Sequence, residues 1–320
     1  MKSIFVIVLA LFSFCVLAQE EELKKNAEKL NEIKNDSLDG WKKGGTGTIT
    51  FSQASLSNWA GGGQNTIAAN SFLNLFANYK KGKSTWDNSF DIAYGLIKQG
   101  SLKFIKSDDR VDLSSKYGRK AFDHWFYAGL FNFRTQMAPG YALPNVTNKI
   151  SDFMAPAYIT TALGFDYKPK KDFTLFISPL TSKITIVNHD SLAAIGAFGV
   201  DKGVIDTLGN ITTPGSKVRY ELGGYLKFSW KVEILKSAVF TTRLDLFSNY
   251  LHNPQNIDVF WENALVVKVG KYIGLNFGTI LIYDDDVKIN LDTDNDGVND
   301  ASGPRVQFKQ VFGVGFSYKF

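Results

Sequence analysis

The chain has 320 residues, a formal net charge of +5 and aromatic side chains at 14%. That length holds one or two soluble domains or a single barrel of roughly 8 to 14 strands, and the mild, dispersed charge leaves no basic stripe of the kind nucleic acid requires. The one cysteine, Cys15, falls in a leader segment, so a disulfide framework, a thiol nucleophile and a cysteine metal site are excluded for the mature chain.

Lys2, the apolar run from Ile4 to Leu17 and the small Ala18 ahead of Gln19 read as a secretory signal over residues 1–18. The run is too short to span a bilayer, and Phe14 is too large for the small residue that lipoprotein processing needs before Cys15. In residues 19–45, Glu20, Glu21, Glu22, Lys24 and Lys25 surround Leu23, Ala27, Leu30 and Ile33 at helical spacing. A charged periplasmic segment is expected there, as a solvated linker or frayed helix rather than a docking helix or lumen plug. No other apolar stretch approaches the roughly 20 residues of a spanning helix, so an exported chain of this kind is either soluble or a closed barrel.

From Thr46 onward the pattern alternates at period two, which places apolar side chains on one face and polar ones on the other. About twelve such segments are predicted, at 46–56, 66–79, 85–98, 110–118, 124–137, 158–168, 173–185, 217–232, 239–249, 258–269, 273–284 and 305–320. Pro179 makes the seventh the least secure, since proline removes a ladder donor, and a small helix fits residues 191–198. The last segment is organised around Val306, Phe308, Phe312, Val314, Phe316, Tyr318 and Phe320 on one face, with Gln310 as the exception, and resembles the closing-strand signal of bacterial outer-membrane barrels. Connections alternate between short turns and long stretches, as they do when turns face the periplasm and loops face outward. Trp41, Trp86, Trp125, Trp230 and Trp261 lie near segment ends, where interfacial girdles form. The fold class expected is therefore all-β, a transmembrane antiparallel up-and-down barrel over residues 46–320, in the outer membrane with both termini periplasmic.

The inward rows carry Arg110, Arg134, Lys217, Arg219, Lys227, Arg243, Lys268, Arg305 and Lys309 against Asp87, Asp91, Asp112, Asp166, Glu221, Asp245, Asp258 and Glu262. The lumen-lining set expected from these is Arg134, Arg219, Glu221, Arg243, Asp245, Glu262, Arg305 and Lys309. An anion-selective pore would show an excess of one sign. The near balance fits internal ion pairs that fill the lumen, and also fits a narrow solute path lined by those charges.

Asp292, Asp294, Asp296 and Asp300 alternate around Gly297 in an oxygen-rich loop, with Val298 placed to offer a carbonyl. Hard cations prefer such ligands, and the glycine permits a sharp bend, so calcium is the cofactor this loop would take. Gly303 stands where a full EF-hand loop has its glutamate, and an acidic solvated loop is the other reading. His189 and Ser191 have the spacing of outer-membrane phospholipases, but they fall in a predicted loop with no third partner. His124 and His252 are isolated.

At residues 56–62 (LSNWAGG), 108–118 (DDRVDLSSKYG) and 303–310 (GPRVQFKQ) the chain resembles a family of outer-membrane barrels from Bacteroidetes-type bacteria, a domain of unknown function (DUF3078-like). The resemblance covers nearly all of the mature chain. It implies an outer-membrane barrel and brings no catalytic residues, and by analogy it makes a subunit role in a large outer-membrane assembly reasonable. The function expected is a non-enzymatic structural or accessory subunit; the alternatives are a narrow pore and a lipid-acting enzyme. The partners expected are outer-membrane lipid and lipopolysaccharide, the barrel-assembly machinery through the C-terminal strand, and other outer-membrane proteins.

Overall fold

Alternating sequence becomes stable sheet only where every edge finds a partner, and the computed structural model shows how this chain supplies them. It describes residues 39–55, 64–141, 147–270, 272–291 and 301–319. Twelve strands form one closed antiparallel barrel: β1 Gly40–Ala54, β2 Thr66–Lys81, β3 Ser84–Gln99, β4 Ile105–Phe122, β5 Trp125–Thr135, β6 Ala157–Lys170, β7 Phe173–Ile186, β8 Val218–Leu235, β9 Ala238–Asn249, β10 Ile257–Lys268, β11 Ile273–Tyr283 and β12 Gln307–Lys319. Each strand pairs with its neighbours in sequence, and β1 pairs with β12 to close the ring. Full closure leaves no sheet edge, which is the condition for strands to cross hydrocarbon.

The polarity is the reverse of a soluble protein's. Phe51, Tyr127, Leu163, Tyr220, Phe308 and Phe312 are all more than half exposed on the outer face, while Asp91, Asp166 and Glu221 are almost fully buried within. On β12 every outward residue from Phe308 to Tyr318 is exposed, and Gly313 and Gly315 face inward and are buried. Aromatic residues collect at the end of the barrel that carries the short turns. Cross-strand register sets Trp41 against Tyr79 and Tyr79 against Trp86, with ring centroids 5.2 Å apart for Trp41 and Tyr79 and 5.7 Å apart for Trp41 and Trp86. Trp125 and Tyr167, 4.9 Å apart, continue that girdle, and Phe173 and Trp230 are register partners in it. From Trp41 to Phe51 a strand tilted by ~40° rises about 25 Å, the height of an outer-membrane apolar band.

The strand starts differ from the sequence reading by two or more residues in three places. β1 begins at Gly40 rather than at 46, because the glycines at 44 and 45 and the lysines at 42 and 43 hide an alternation that Trp41 completes. β4 begins at Ile105, and β12 at Gln307, which leaves Arg305 outside the closing strand. Pro179 does not break β7. It sits in a bulge, where the pairing with both β6 and β8 shifts register. The Ser178 hydroxyl lies 2.8 Å from the carbonyls of Leu163 and Leu180, and Gly164 opposite has no room for a Cβ, which would stand 2.1 Å from the Ile177 carbonyl oxygen.

At the other end lie the long connections. The stretch between β7 and β8 contains a short helix, α1 (Asp190–Ala194), where a small helix was expected. Val187, Leu192, Ala193 and Val200 pack with Ala155 into a small core of their own, with Phe198 against it. Three two-stranded ribbons complete this end, pairing Gly140–Tyr141 with Lys149–Ser151, Val204–Ile205 with Ile211–Thr213, and Lys288–Leu291 with Ala301–Pro304.

Candidate functional site

Inward residues on opposite walls of the barrel reach each other. β3 and β9 are six places apart in the ring of twelve, as are β4 and β10. The Arg243 guanidinium on β9 lies 3.1 Å from the Asp91 carboxylate on β3, and Arg110 on β4 lies 2.9 Å from Glu262 on β10. Arg243 and Glu262, partners in register, are 3.9 Å apart and join the two bridges into one chain across the lumen. Beside it, Arg134 pairs with Asp112 at 2.8 Å, stacks on the Phe260 ring at 4.2 Å and stands 3.8 Å from Asp245, which in turn is 3.7 Å from Lys227. Asn132 donates to Asp112, and Asn74 donates to Asp91.

Toward the short turns, Lys116 and Lys168 share the buried Asp166 at 2.8 and 3.1 Å, and Lys168 also meets Asp87 at 2.5 Å. Toward the long loops, Lys183 sits among Asp258 at 2.7 Å and Glu221 and Asp284, both at 3.6 Å. Arg219 bonds Asp286, approaches Glu221 to 3.3 Å and donates to the Gly199 carbonyl, tying the loop between β7 and β8 over the barrel mouth. Charges held this way inside a low-dielectric wall must be paired, because a lone one costs several kcal/mol.

Between the central bridges and this roof lies a chamber of about 550 Å³, within the usual range for ligand pockets. Its lining includes Arg110, Arg134, Tyr225 and Asp245 from the floor side, Tyr158, Lys183, Phe260 and Lys309 from the walls, and Phe198 from the capping loop.

Of the expected lumen-lining residues, Arg134, Arg219, Glu221, Arg243, Asp245 and Glu262 take part in these networks, and Lys309 pairs with Asp108 at 3.0 Å. Arg305 does not join them. It is exposed ahead of β12 and donates to the Pro304 carbonyl, since the strand that would have turned it inward starts two residues later. Lys217 lies among the loops and pairs with Asp190 at 2.6 Å. Lys168 and Lys183 are cations of the lumen that the sequence reading missed, and for Lys183 the cause is local. Strict alternation from Phe173 points it outward, but the bulge at Pro179 inverts the phase, so that Phe176 and Lys183 both face in.

The aspartate-rich stretch with Asp292, Asp294, Asp296, Val298 and Asp300 lies outside the described residues, as does the expected signal at 1–18. Among the described residues no group of three or more His, Cys, Asp or Glu is arranged to hold a metal ion. His189 stands at the N-cap position of α1 without a side-chain capping bond, Ser191 is exposed, and no hydrogen bond between their side chains is found among the described residues.

A closed even-stranded antiparallel barrel with an apolar outside, an aromatic girdle, a charged inside and alternating short turns and long loops is a membrane β-barrel of the outer-membrane type. Within it, residues 51–141 match the family described as Protein of unknown function (DUF3078), in line with the resemblance read from the sequence. No curated protein matches the chain. Among solved structures, the chain is similar to the translocator domain of the autotransporter NalP from Neisseria meningitidis, at 10% identity over 95% of this chain and 98% of that one, with a TM-score of 0.37. It is also similar to an outer membrane channel from Pseudomonas putida F1, at 9% identity over 88% and 96% with a TM-score of 0.39, and to the NanC porin, at 11% over 85% and 98% with a TM-score of 0.36.

Proposed function

We propose that the protein is a non-enzymatic structural or accessory subunit of an outer-membrane assembly, with its lumen closed along the axis by ion pairs. The observation that carries this reading is the pair of bridges Asp91–Arg243 and Arg110–Glu262, each made between strands on opposite sides of the ring. A barrel whose interior charges are spent on one another offers no wide aqueous path, so its useful surfaces are its outer wall and its long loops. In this reading the short turns and both termini face the periplasm, and the long loops face outward. Lipid and lipopolysaccharide surround the wall, and the C-terminal strand is the handle for the barrel-assembly machinery.

Planar-bilayer recording tests the closure: wild-type protein gives no stepwise conductance, and the Arg243→Ala/Glu262→Ala double variant does. Steps from the wild type would overturn the closed reading. They would favour the second one, a narrow solute path, for which the chamber above the bridges is the supporting feature. Phospholipid turnover at background for both wild type and Ser191→Ala is the outcome expected of a non-enzyme. Purification from native membranes with a stoichiometric outer-membrane partner is expected for a subunit.

A further inference from the structure

The chamber above the central bridges is charged differently at its two ends. Under the loops, the carboxylates of Glu221, Asp258, Asp284 and Asp286 meet only Lys183 and Arg219 as cations among the described residues. At the floor the signs balance, with Arg243 and Arg110 against Asp91 and Glu262, and Arg134 and Lys227 against Asp112 and Asp245. The roof is therefore the end that draws positive charge, and the floor as a set is neutral.

Each end also keeps bonding capacity that the protein does not use. Asp258 presents Oδ2 to Lys183 at 2.7 Å, and no hydrogen bond to its Oδ1 is found among the described residues. Arg110 donates to Glu262 at 2.9 Å, and no second bond from it is found among the described residues, although a guanidinium carries five N–H donors. Both side chains line the chamber. Groups of this kind are served by water or by a ligand that displaces it and reproduces its bonds.

The spacing of the two ends selects the ligand. Asp258 and Glu262 lie four residues apart on β10, which is about 13 Å at ~3.3 Å per residue. Arg110 reaches in to Glu262 from the opposite wall, so a carboxylate held by Arg110 and an ammonium held by Asp258 stand roughly 10 Å apart. The two charges of a free amino acid flank a single carbon and cannot bridge that distance. An extended peptide advances ~3.3 Å per residue, so its termini span it at three or four residues. Between the poles, the rings of Tyr158, Tyr225, Phe247 and Phe260 offer apolar faces for side chains, and Thr160 offers a polar group for amides.

We infer that the chamber is a binding site for a short zwitterionic peptide of three or four residues. Its N-terminal ammonium lies toward Asp258 and Asp284, and its C-terminal carboxylate lies toward Arg110. A diamine would suit the roof and leave the floor donors idle, a dicarboxylate would meet the surplus carboxylates of the roof, and a sugar would use neither charge. On the loop side the cover is Phe198 and Val287, which belong to the long connections and not to the barrel wall. The inference concerns what the chamber holds and not what passes through it, so it does not depend on the axial closure proposed above.

The test is calorimetric titration of the full chain in detergent micelles, with trialanine as the probe and unheated gels to confirm that each variant is folded. Trialanine is expected to bind saturably, acetylation of its amine or amidation of its carboxylate to weaken binding about ten-fold or more, and free alanine not to bind. Asp258→Asn is expected to weaken trialanine about ten-fold and to leave N-acetyl-trialanine unchanged. Arg110→Gln combined with Glu262→Gln is expected to weaken trialanine and to leave trialanine amide unchanged. A merely structural role for these residues would weaken every probe alike. That result would overturn the inference, as would the absence of saturable binding, capped peptides that bind as well as the free one, or alanine that binds as tightly as trialanine. Axial conductance by the wild type would sink the closed-lumen reading without touching any of these comparisons, so the two failures are distinguishable.

Discussion

Asp91 on β3 and Asp112 on β4 stand directly opposite each other on the inner face, and both are buried. Like charges in that relation repel, so the pair persists only because Arg243 reaches Asp91 from the far wall and Arg134 holds Asp112 from β5. Removing one guanidinium should therefore do more harm than removing the charge it neutralises. Arg243→Ala is expected to cost about 3–5 kcal/mol, and adding Asp91→Asn to it is expected to recover part of that loss. Urea titration of the folded band on unheated gels, run as a double-mutant cycle, measures both.

The outer wall makes a depth-dependent prediction. Phe131 lies midway along β5 and is exposed on the face assigned to lipid. Phe131→Arg is expected to cost about 2–4 kcal/mol of folding stability in vesicles. Ile150 is more than half exposed but belongs to a loop ribbon beyond the barrel, so Ile150→Arg is expected to change stability by less than about 0.5 kcal/mol. Equal effects would mean that exposure, and not lipid contact, sets the cost.

Much of this was legible in the sequence because a barrel enforces one rule on every strand. The alternation at Val306 to Tyr318, or at Val218 to Trp230, gave the strand and its faces together, and the short and long connections gave its direction. The rule failed where the backbone departs from period two. The bulge at Pro179 inverted the phase of Lys183, and a strand starting at Gln307 left Arg305 outside. Partners across the lumen were beyond reach for another reason. Which of the inward arginines meets Asp91 depends on the ring's circumference and stagger, and no single strand carries that information.

The closing seam depends on two glycines. A Cβ at Gly313 would stand 2.3 Å from the Thr50 Cγ2, and one at Gly315 would meet the Thr50 hydroxyl at 2.8 Å and the Ile49 carbonyl oxygen at 2.9 Å. The first obstacle is one side chain, whereas the second includes backbone. Gly313→Ala is accordingly expected to lower the yield of heat-modifiable folded barrel and to be rescued by Thr50→Gly. Gly315→Ala is expected to lower it without full rescue by the same change.

A local dependence on pH should appear in the loop that carries Val204–Ile205 and Ile211–Thr213. The Asp206 carboxylate accepts bonds from the Asn210 and Leu208 backbone N–H groups, at 2.8 and 2.9 Å, and from the Asn210 side-chain amide. The bonds from Asn210 lead in holding its pKa below the ordinary aspartate value. A folded pKa depressed in this way means that the stabilisation is present above the unfolded value near 4 and is lost as the pH falls through the lower, folded one. Amide exchange in residues 204–213 is therefore expected to be slow and flat from pH 7 down to about 4.5, after allowance for intrinsic rates, and to lose protection below that while β5 and β6 keep theirs. Asp206→Asn keeps an acceptor oxygen but cannot titrate, so its protection should be lower at neutral pH and should not change on acidification. Loss of protection in the variant at the same pH as in the wild type would assign the transition to a group other than Asp206.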